Sequence, residues 1–236
     1  RFERKINKTP LEIYNYLRIS NPSPFMFYFN FGDFKILGSS PEILVRLRNN
    51  KITIRPIAGT RPRGKTKAQD TKYKNELLKD KKERSEHLML LDLGRNDVGK
   101  VSKINTVKVT ESFNVEKYSH VMHIVSNVEG TFDNKNSIFE TLLSGFPAGT
   151  VSGAPKIRAM EIIDELEKNK RKLYAGGIGY FTSSKEFDTC ITLRTALIKN
   201  NKIYVQSGAG IVADSIPENE YQETVNKAKA LMKAVD

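Results

Sequence analysis

The 236-residue chain is short of several things, and each shortage excludes something. Its single cysteine, Cys190, rules out an internal disulfide framework and fits a reducing compartment. No apolar run approaches the roughly 20 residues that a membrane-spanning helix needs. The opening Arg1-Phe2-Glu3-Arg4-Lys5 has no apolar stretch behind it that reads as a secretory leader. Internal repeats, low-complexity tracts and linkers are missing too. The expectation is one continuous, soluble, cytoplasmic domain over residues 1–236, with no membrane partner. Acidic residues are also in deficit, since 39 Lys+Arg against 27 Asp+Glu leave a formal net charge of +12. The lysines are scattered through every polar segment and form no basic stripe interleaved with aromatics, so no nucleic-acid partner is expected. A lysine-rich habit accounts for the excess, with small acidic substrates as a second explanation.

What is present includes two pairs of carboxylates at helical spacing, Glu83 with Glu86 and Glu220 with Glu223. Residues three apart share one helix face, so each pair aims two oxygen-rich side chains in one direction. Four such groups suit a hard divalent cation, Mg²⁺ above all. The bland alternative is a pair of solvated helix faces. Glycine-rich sequence around both pairs favours the metal.

Taken in order, Thr9-Pro10-Leu11-Glu12 starts a helix by a capping box, with Leu11, Tyr14 and Leu17 as its apolar face. Strands follow over 25–31 and 34–37 around Gly32-Asp33, then over 43–48 and 51–57 around Asn49-Asn50. Gly59 to Thr66 satisfies the phosphate-binding pattern G-x-x-x-x-G-K-T after a strand, which raises a nucleotide triphosphatase as an alternative. That reading is set aside. Pro62 removes a backbone donor, and the chain does not alternate strand and helix. What remains is a loop of backbone donors with two arginines, suited to a carboxylate. Residues 69–99 read as helix, with Glu83, Glu86, Leu90 and Leu93 on one stripe and Gly94 to Asp97 closing it. His87 falls off that stripe, as a structural hydrogen-bonder. In the β-type runs 107–115 and 118–129, His120 and His123 point to opposite faces. A short helix over 138–146 precedes Pro147 to Pro155, small residues before the helix at 156–168 that would seat an anion or simply cap it. Strands at 188–198 and 202–206 lead to Ser207-Gly208-Ala209-Gly210, and Ser215 opens the last helix as a second capping box. The fold class is α+β, with mainly antiparallel sheets packed with helices.

Beyond this piecewise reading, a set of long motifs runs in register: Pro56-Ile57-Ala58-Gly59-Thr60-Arg61, Ser85-Glu86-His87-Leu88-Met89-Leu90, Ser119-His120-Val121-Met122-His123, Gly149-Thr150-Val151-Ser152-Gly153-Ala154-Pro155-Lys156, Asp188-Thr189-Cys190-Ile191 and Gln206-Ser207-Gly208-Ala209-Gly210-Ile211. Together these resemble the catalytic half of the chorismate-utilising enzymes, most closely the anthranilate synthase large-subunit (component I) family. The resemblance implies the family's fold, a sandwich-like core of large antiparallel sheets, and Mg²⁺-dependent conversion of chorismate and ammonia to anthranilate and pyruvate, the first step of tryptophan biosynthesis. It implies Glu86 and Glu223 as metal ligands, with Glu83 and Glu220 in support through water. Gly59, Thr60, Tyr174, Arg194, Gly208, Ala209, Gly210 and Lys227 match substrate-contacting positions. His123 matches the general acid, Glu42 a second proton-transfer group, and Thr150 a residue beside the ring. Pro24, Phe25 and Met26 match part of a tryptophan inhibitor pocket. The implied partner is a glutamine amidotransferase subunit (component II) supplying ammonia, in a hetero-oligomer. The aminodeoxychorismate synthases of the folate pathway, the alternative within the family, typically place a nucleophilic lysine where this chain has Ala58. Relatives are about twice this length and their N-terminal half has no counterpart here. The 236 residues alone are therefore expected to be an incomplete fold or part of a longer chain.

Overall fold

The computed structural model describes residues 1–118 and 121–235, Ala230 by its backbone only. The elements in chain order are β1 (Phe2–Lys5), α1 (Pro10–Ser20), β2 (Phe25–Asn30), β3 (Phe34–Ser40), β4 (Ile43–Arg48), β5 (Lys51–Ile54) and β6 (Ile57–Pro62). Next come α2 (Lys67–Lys79), α3 (Lys81–Gly99), β7 (Lys108–Lys117), β8 (Val121–Thr131), α4 (Ile138–Ser144), α5 (Gly149–Ser152) and α6 (Lys156–Leu166). Last are β9 (Gly177–Phe181), β10 (Phe187–Ile191), β11 (Thr195–Lys199), β12 (Lys202–Val205) and α7 (Pro217–Lys233). They group into two compact units. The first holds residues 1–42, 167–178 and those from Cys190 onward; the second holds 43–166 and 179–189. This is an α+β architecture of antiparallel sheets packed with helices.

The first unit is a five-stranded sheet ordered β1-β12-β11-β3-β2 with antiparallel ladders. Helix α1 begins as its sequence dictates: the Thr9 hydroxyl accepts from Glu12 N, and the Glu12 carboxylate accepts from Thr9 N at 2.7 Å. Its buried face differs from the expected one. Ile13 and Leu17, four apart, are buried, and Leu11 is exposed. They pack with Leu37, Ala196, Ile203 and Val205 of the sheet and with Ala228 and Leu231 of α7. A second correction concerns residues 188–198. They form two strands, β10 and β11, broken at Thr192–Arg194, where Arg194 takes a left-handed φ of 46°. An apolar run through that break has no local signal of it, because two sheets can each bury half. Ser215 was also misread. Its hydroxyl accepts from Val212 N, so Ile216, not Ser215, stands before Pro217 at the start of α7.

The second unit is a seven-stranded sheet ordered β6-β8-β5-β4-β10-β9, with β7 pairing β8. Asn49 and Asn50 both take positive φ in the β4–β5 turn, as their residue type permits. The expected strand 51–57 is interrupted at Arg55-Pro56, leaving β5 and β6 in line along β8. The expected single helix of 69–99 is two helices. Asp80 ends α2 and caps α3, its carboxylate accepting from Glu83 N at 3.2 Å. The helical stretch ends at Gly99, as expected. A methyl at Gly94 would make ordinary contact with Ile54, Pro56 and Val128, so α3 lies on the sheet here with room for a Cβ.

Candidate active site

Within the second unit, the β6–β8 ladder slips between Ala58 and Arg61, and Gly59-Thr60 form a bulge. Gly59 has a φ of 69°, and a Cβ there would stand 3.1 Å from both the Glu83 carboxylate and the Leu77 side chain. From β8, His123 brings Nδ1 to 2.9 Å from the Gly59 carbonyl oxygen and 3.1 Å from the Thr60 hydroxyl. A carbonyl only accepts, so Nδ1 carries the proton of the neutral ring and Nε2 is the atom that exchanges one. Opposite His123 in the β7 ladder sits Glu116. The Arg55 guanidinium grips Glu116 and holds its carboxyl below the usual carboxylate range; the Tyr118 hydroxyl also donates to it at 2.8 Å. The Tyr118 ring lies edge-on to His123 at 5.5 Å. An ionised carboxylate thus faces a ring that must carry positive charge to act as an acid.

The same bulge reaches α3. Arg61 donates to Glu83 at 3.0 Å and to Asp80 at 2.7 Å, which ties the bulge to the first helical turn. Glu86 lies one turn further along and is half-buried; Leu90 beyond it is buried. Glu83 and Glu86 present only oxygen donors, and Arg61 already places a positive charge against one of them. That donor set and the stand-in cation fit a hard divalent ion. Within either unit, no three His, Cys, Asp or Glu side chains gather among the described residues. His87 is fully buried, with Nε2 2.6 Å from the Ser126 hydroxyl, and its ring meets Phe113 edge-on. It is the structural hydrogen-bonder its position suggested. His120 lies outside the described residues.

The loop that satisfies the phosphate-binding pattern is spent on the chain itself. Gly64 N donates to the Asp70 carboxylate at 2.7 Å and Lys65 N to the Gln69 side chain at 2.9 Å. Arg63 forks onto the same Asp70, whose carboxyl is driven far below its ordinary range by that guanidinium. The loop does hold a carboxylate, as read, but the carboxylate is Asp70. A triphosphate has no free cradle of amides here.

Thr150 sits half-buried in α5, where the Val151 and Ser152 amides both donate to the Ala148 carbonyl. The anion seat expected before α6 is therefore partly closed by the turn's own bonds.

The first unit gathers a second set. A Cβ at Gly208 would come 2.8 Å from the Tyr174 hydroxyl. Lys227 donates to the Gly208 carbonyl at 3.0 Å and pairs with Glu223 at 2.6 Å, so this lysine does more than complete a surface pair. The Ser207 hydroxyl ties the loop to α7 through the Thr224 carbonyl. Burial pushes the Tyr174 hydroxyl up, keeping it a neutral donor. Glu220, one turn before the exposed Glu223, is buried. Ala209 is half-buried, Gly210 exposed, and Arg194 holds the left-handed turn described above. Glu42 is buried, its carbonyl accepting from Ile191 N at 3.0 Å. Phe25 and Met26 pair with Ser40 and Ser39 along β2, and Pro24 before them is exposed. Reading the sequence missed Asp80, Glu116 and Tyr118 as supports; the pair Arg61 and Arg63 signalled carboxylate binding, and Arg61 does bind Glu83 and Asp80.

The chorismate binding enzyme family matches residues 1–233. The chain is 60% identical over its whole length to anthranilate synthase component 1 of Cereibacter sphaeroides, covering 47% of that protein. It is 54% identical over its whole length to the same-named protein of Aquifex aeolicus, covering 48% of it. It thus spans about half the length of the curated relatives it matches. Among solved structures, anthranilate synthase component I from Streptococcus pneumoniae superposes with a TM-score of 0.90 at 46% identity, over 98% of this chain and 51% of that one. The menaquinone-specific isochorismate synthase of Escherichia coli gives 0.86 at 27% identity, over 99% of this chain and 53% of that one.

Proposed function

The chain belongs to the chorismate-binding enzyme family, and on that premise we propose that it forms the catalytic part of an anthranilate synthase, converting chorismate and ammonia to anthranilate and pyruvate. The observation that carries this is the bulge at Gly59-Thr60, which seats His123 through Nδ1 and lies against the Glu83 carboxylate. In this reading His123, protonated on both nitrogens, gives its Nε2 proton to the departing C4 hydroxyl as ammonia adds at C2. Glu116, held ionised by Arg55, offsets the charge on that ring. Glu42 takes up a proton during loss of pyruvate. Tyr174, Arg194, Lys227 and the backbone of Gly59, Gly208, Ala209 and Gly210 position the substrate, with Thr60 and Thr150 beside the ring. The residues that would hold Mg²⁺ are Glu86 and Glu223, with Glu83 and Glu220 in support through water. When bound, the ion supplies positive charge for the ring carboxylate of the substrate. Ala58 is buried and carries no nucleophile, which supports direct amination over the lysine-dependent route.

Ammonia is proposed to come from a glutamine amidotransferase subunit, and tryptophan is proposed to act as inhibitor through Pro24, Phe25 and Met26. The test uses the complete natural polypeptide with chorismate, ammonium and Mg²⁺, with the product identified by fluorescence and chromatography. Anthranilate is expected, Glu86→Gln should abolish Mg²⁺-dependent turnover, and His123→Phe should lower kcat by about 10²–10⁴. Aminodeoxychorismate as product, or full activity in Glu86→Gln, overturns the reading.

A further inference from the structure

Helix α3 carries more than the carboxylates at its start. Glu86, Leu90, Leu93 and Asp97 follow one another at i, i+4, i+7 and i+11, a single stripe along the helix. At the far end of that stripe Asp97 is 4% exposed, its Oδ2 2.6 Å from the Lys156 ammonium and its Oδ1 3.0 Å from Lys100. Lys156 is the first residue of α6 and is itself largely buried. Between the two helices runs the Gly149–Pro155 segment with Thr150. Its beginning is held to the same stripe by a different device: a Cβ on Gly149 would stand 2.5 Å from the Leu93 side chain, so the backbone lies directly on α3 there. The segment is therefore pinned at both ends to the helix face that bears Glu86.

The ion pair is badly placed for helix stability. Asp97 puts a negative charge in the last turn of α3, and Lys156 puts a positive charge at the start of α6; each opposes its own helix macrodipole. Burying both adds a desolvation cost that an apolar pair of similar volume would not carry. Two charges at the wrong helix ends, buried together, serve geometry better than stability. We propose that Asp97, acting through Lys156, is a positioning residue for the reaction: the pair sets the Thr150 segment against the Glu86 stripe of α3. This rests on the amination reading above only in naming the reaction it serves. The placement itself stands on the buried pair and the Gly149 contact.

The test takes Lys156→Met, Lys156→Arg and the apolar double variant Asp97→Leu/Lys156→Met in the complete natural polypeptide. In Lys156→Met, Asp97 keeps Lys100, so no orphaned charge is buried and the fold is expected to hold. Its kcat for chorismate should fall at least about 10-fold, with Mg²⁺ affinity within about twofold of wild type, because α3 does not move. Lys156→Arg should recover most of the rate. The double variant should unfold at or above the wild-type temperature yet remain slow. Hydrogen exchange of residues 149–155 should be faster in Lys156→Met and normal in Lys156→Arg. Wild-type kcat in Lys156→Met, or a rate restored by the apolar double variant, overturns the proposal. If the wild type does not turn over chorismate, the amination reading fails alone, and unchanged exchange at 149–155 in Lys156→Met would then sink the positioning role by itself.

Discussion

Acidification from pH 7 to pH 5 should cost this fold more stability than its carboxylates can explain, because of His87. Its ring is fully buried and, among the described residues, its one hydrogen-bond partner is neutral Ser126 and its Nδ1 has none. Ser126 accepts from Phe113 N at 3.0 Å and shares one hydrogen bond with Nε2, and with no charged group beside it among the described residues the neutral ring is the form the site accommodates. Burial pushes the His87 imidazole down from its ordinary 6.5 to about 4. Because the folded value is lowered, the unfolded chain binds a proton below about pH 6.5 that the folded chain refuses until about pH 4. Stability therefore falls as pH falls through that window. At about 1.4 kcal/mol per pH unit the full loss approaches 3.5 kcal/mol, of which about 2 kcal/mol is reached by pH 5. The depressed carboxylates, Asp70 and Glu116 among them, begin to lose their contribution only below about pH 5 and so barely enter the window from pH 7 to pH 5. The assay is urea unfolding of wild type and His87→Gln at pH 7, 6 and 5; the glutamine amide reaches Ser126 and does not titrate. The wild-type midpoint should drop by about 0.7–1 M while the variant stays nearly level. Equal slopes for the two proteins would refute the argument, as would an NMR titration of His87 centred near 6.5.

Three further outcomes follow from the geometry. Gly59→Ala forces a side chain into a left-handed turn against Glu83 and Leu77, and should cost about 1–2 kcal/mol of stability, read by thermal unfolding. Lys65→Ala should leave turnover of chorismate unchanged and reveal no ATP hydrolysis to lose, since Gly64 and Lys65 donate to Asp70 and Gln69; a rate that falls with it would revive the phosphate-binding reading. Asp70→Asn should speed tryptic cleavage after Arg63 and Lys65 at neutral pH. Because the Asp70 carboxyl is depressed, its hold on the loop is fully present above about pH 4 and weakens progressively as pH falls below it, so the difference from wild type should shrink in acid, as read by an acid-active protease.

Local chemistry was legible wherever it acted within a few residues. The Thr9–Glu12 capping box, the Asn49-Asn50 turn and the hairpin at Gly32 are written in residue types whose conformational preferences need no distant partner. Failures came where a distant contact outvoted the local signal. The 69–99 run looked like one helix and divides at Asp80; the 188–198 run looked like one strand and divides at Arg194. The α1 face was drawn through Leu11, when Ile13 is the residue the sheet buries.

By itself the sequence determined the α+β class, the family motifs and the paired glutamates at helical spacing, because side-chain period and turn chemistry are properties of neighbours along the chain. Which carboxylate each arginine would meet was decided only in three dimensions: Arg63 by Asp70, Arg61 by Asp80 and Glu83, Arg55 by Glu116. The loop that spelled a phosphate cradle became the seat of Asp70 for the same reason. A buried donor takes whichever acceptor the fold delivers, and that delivery is set by packing between segments the sequence keeps far apart.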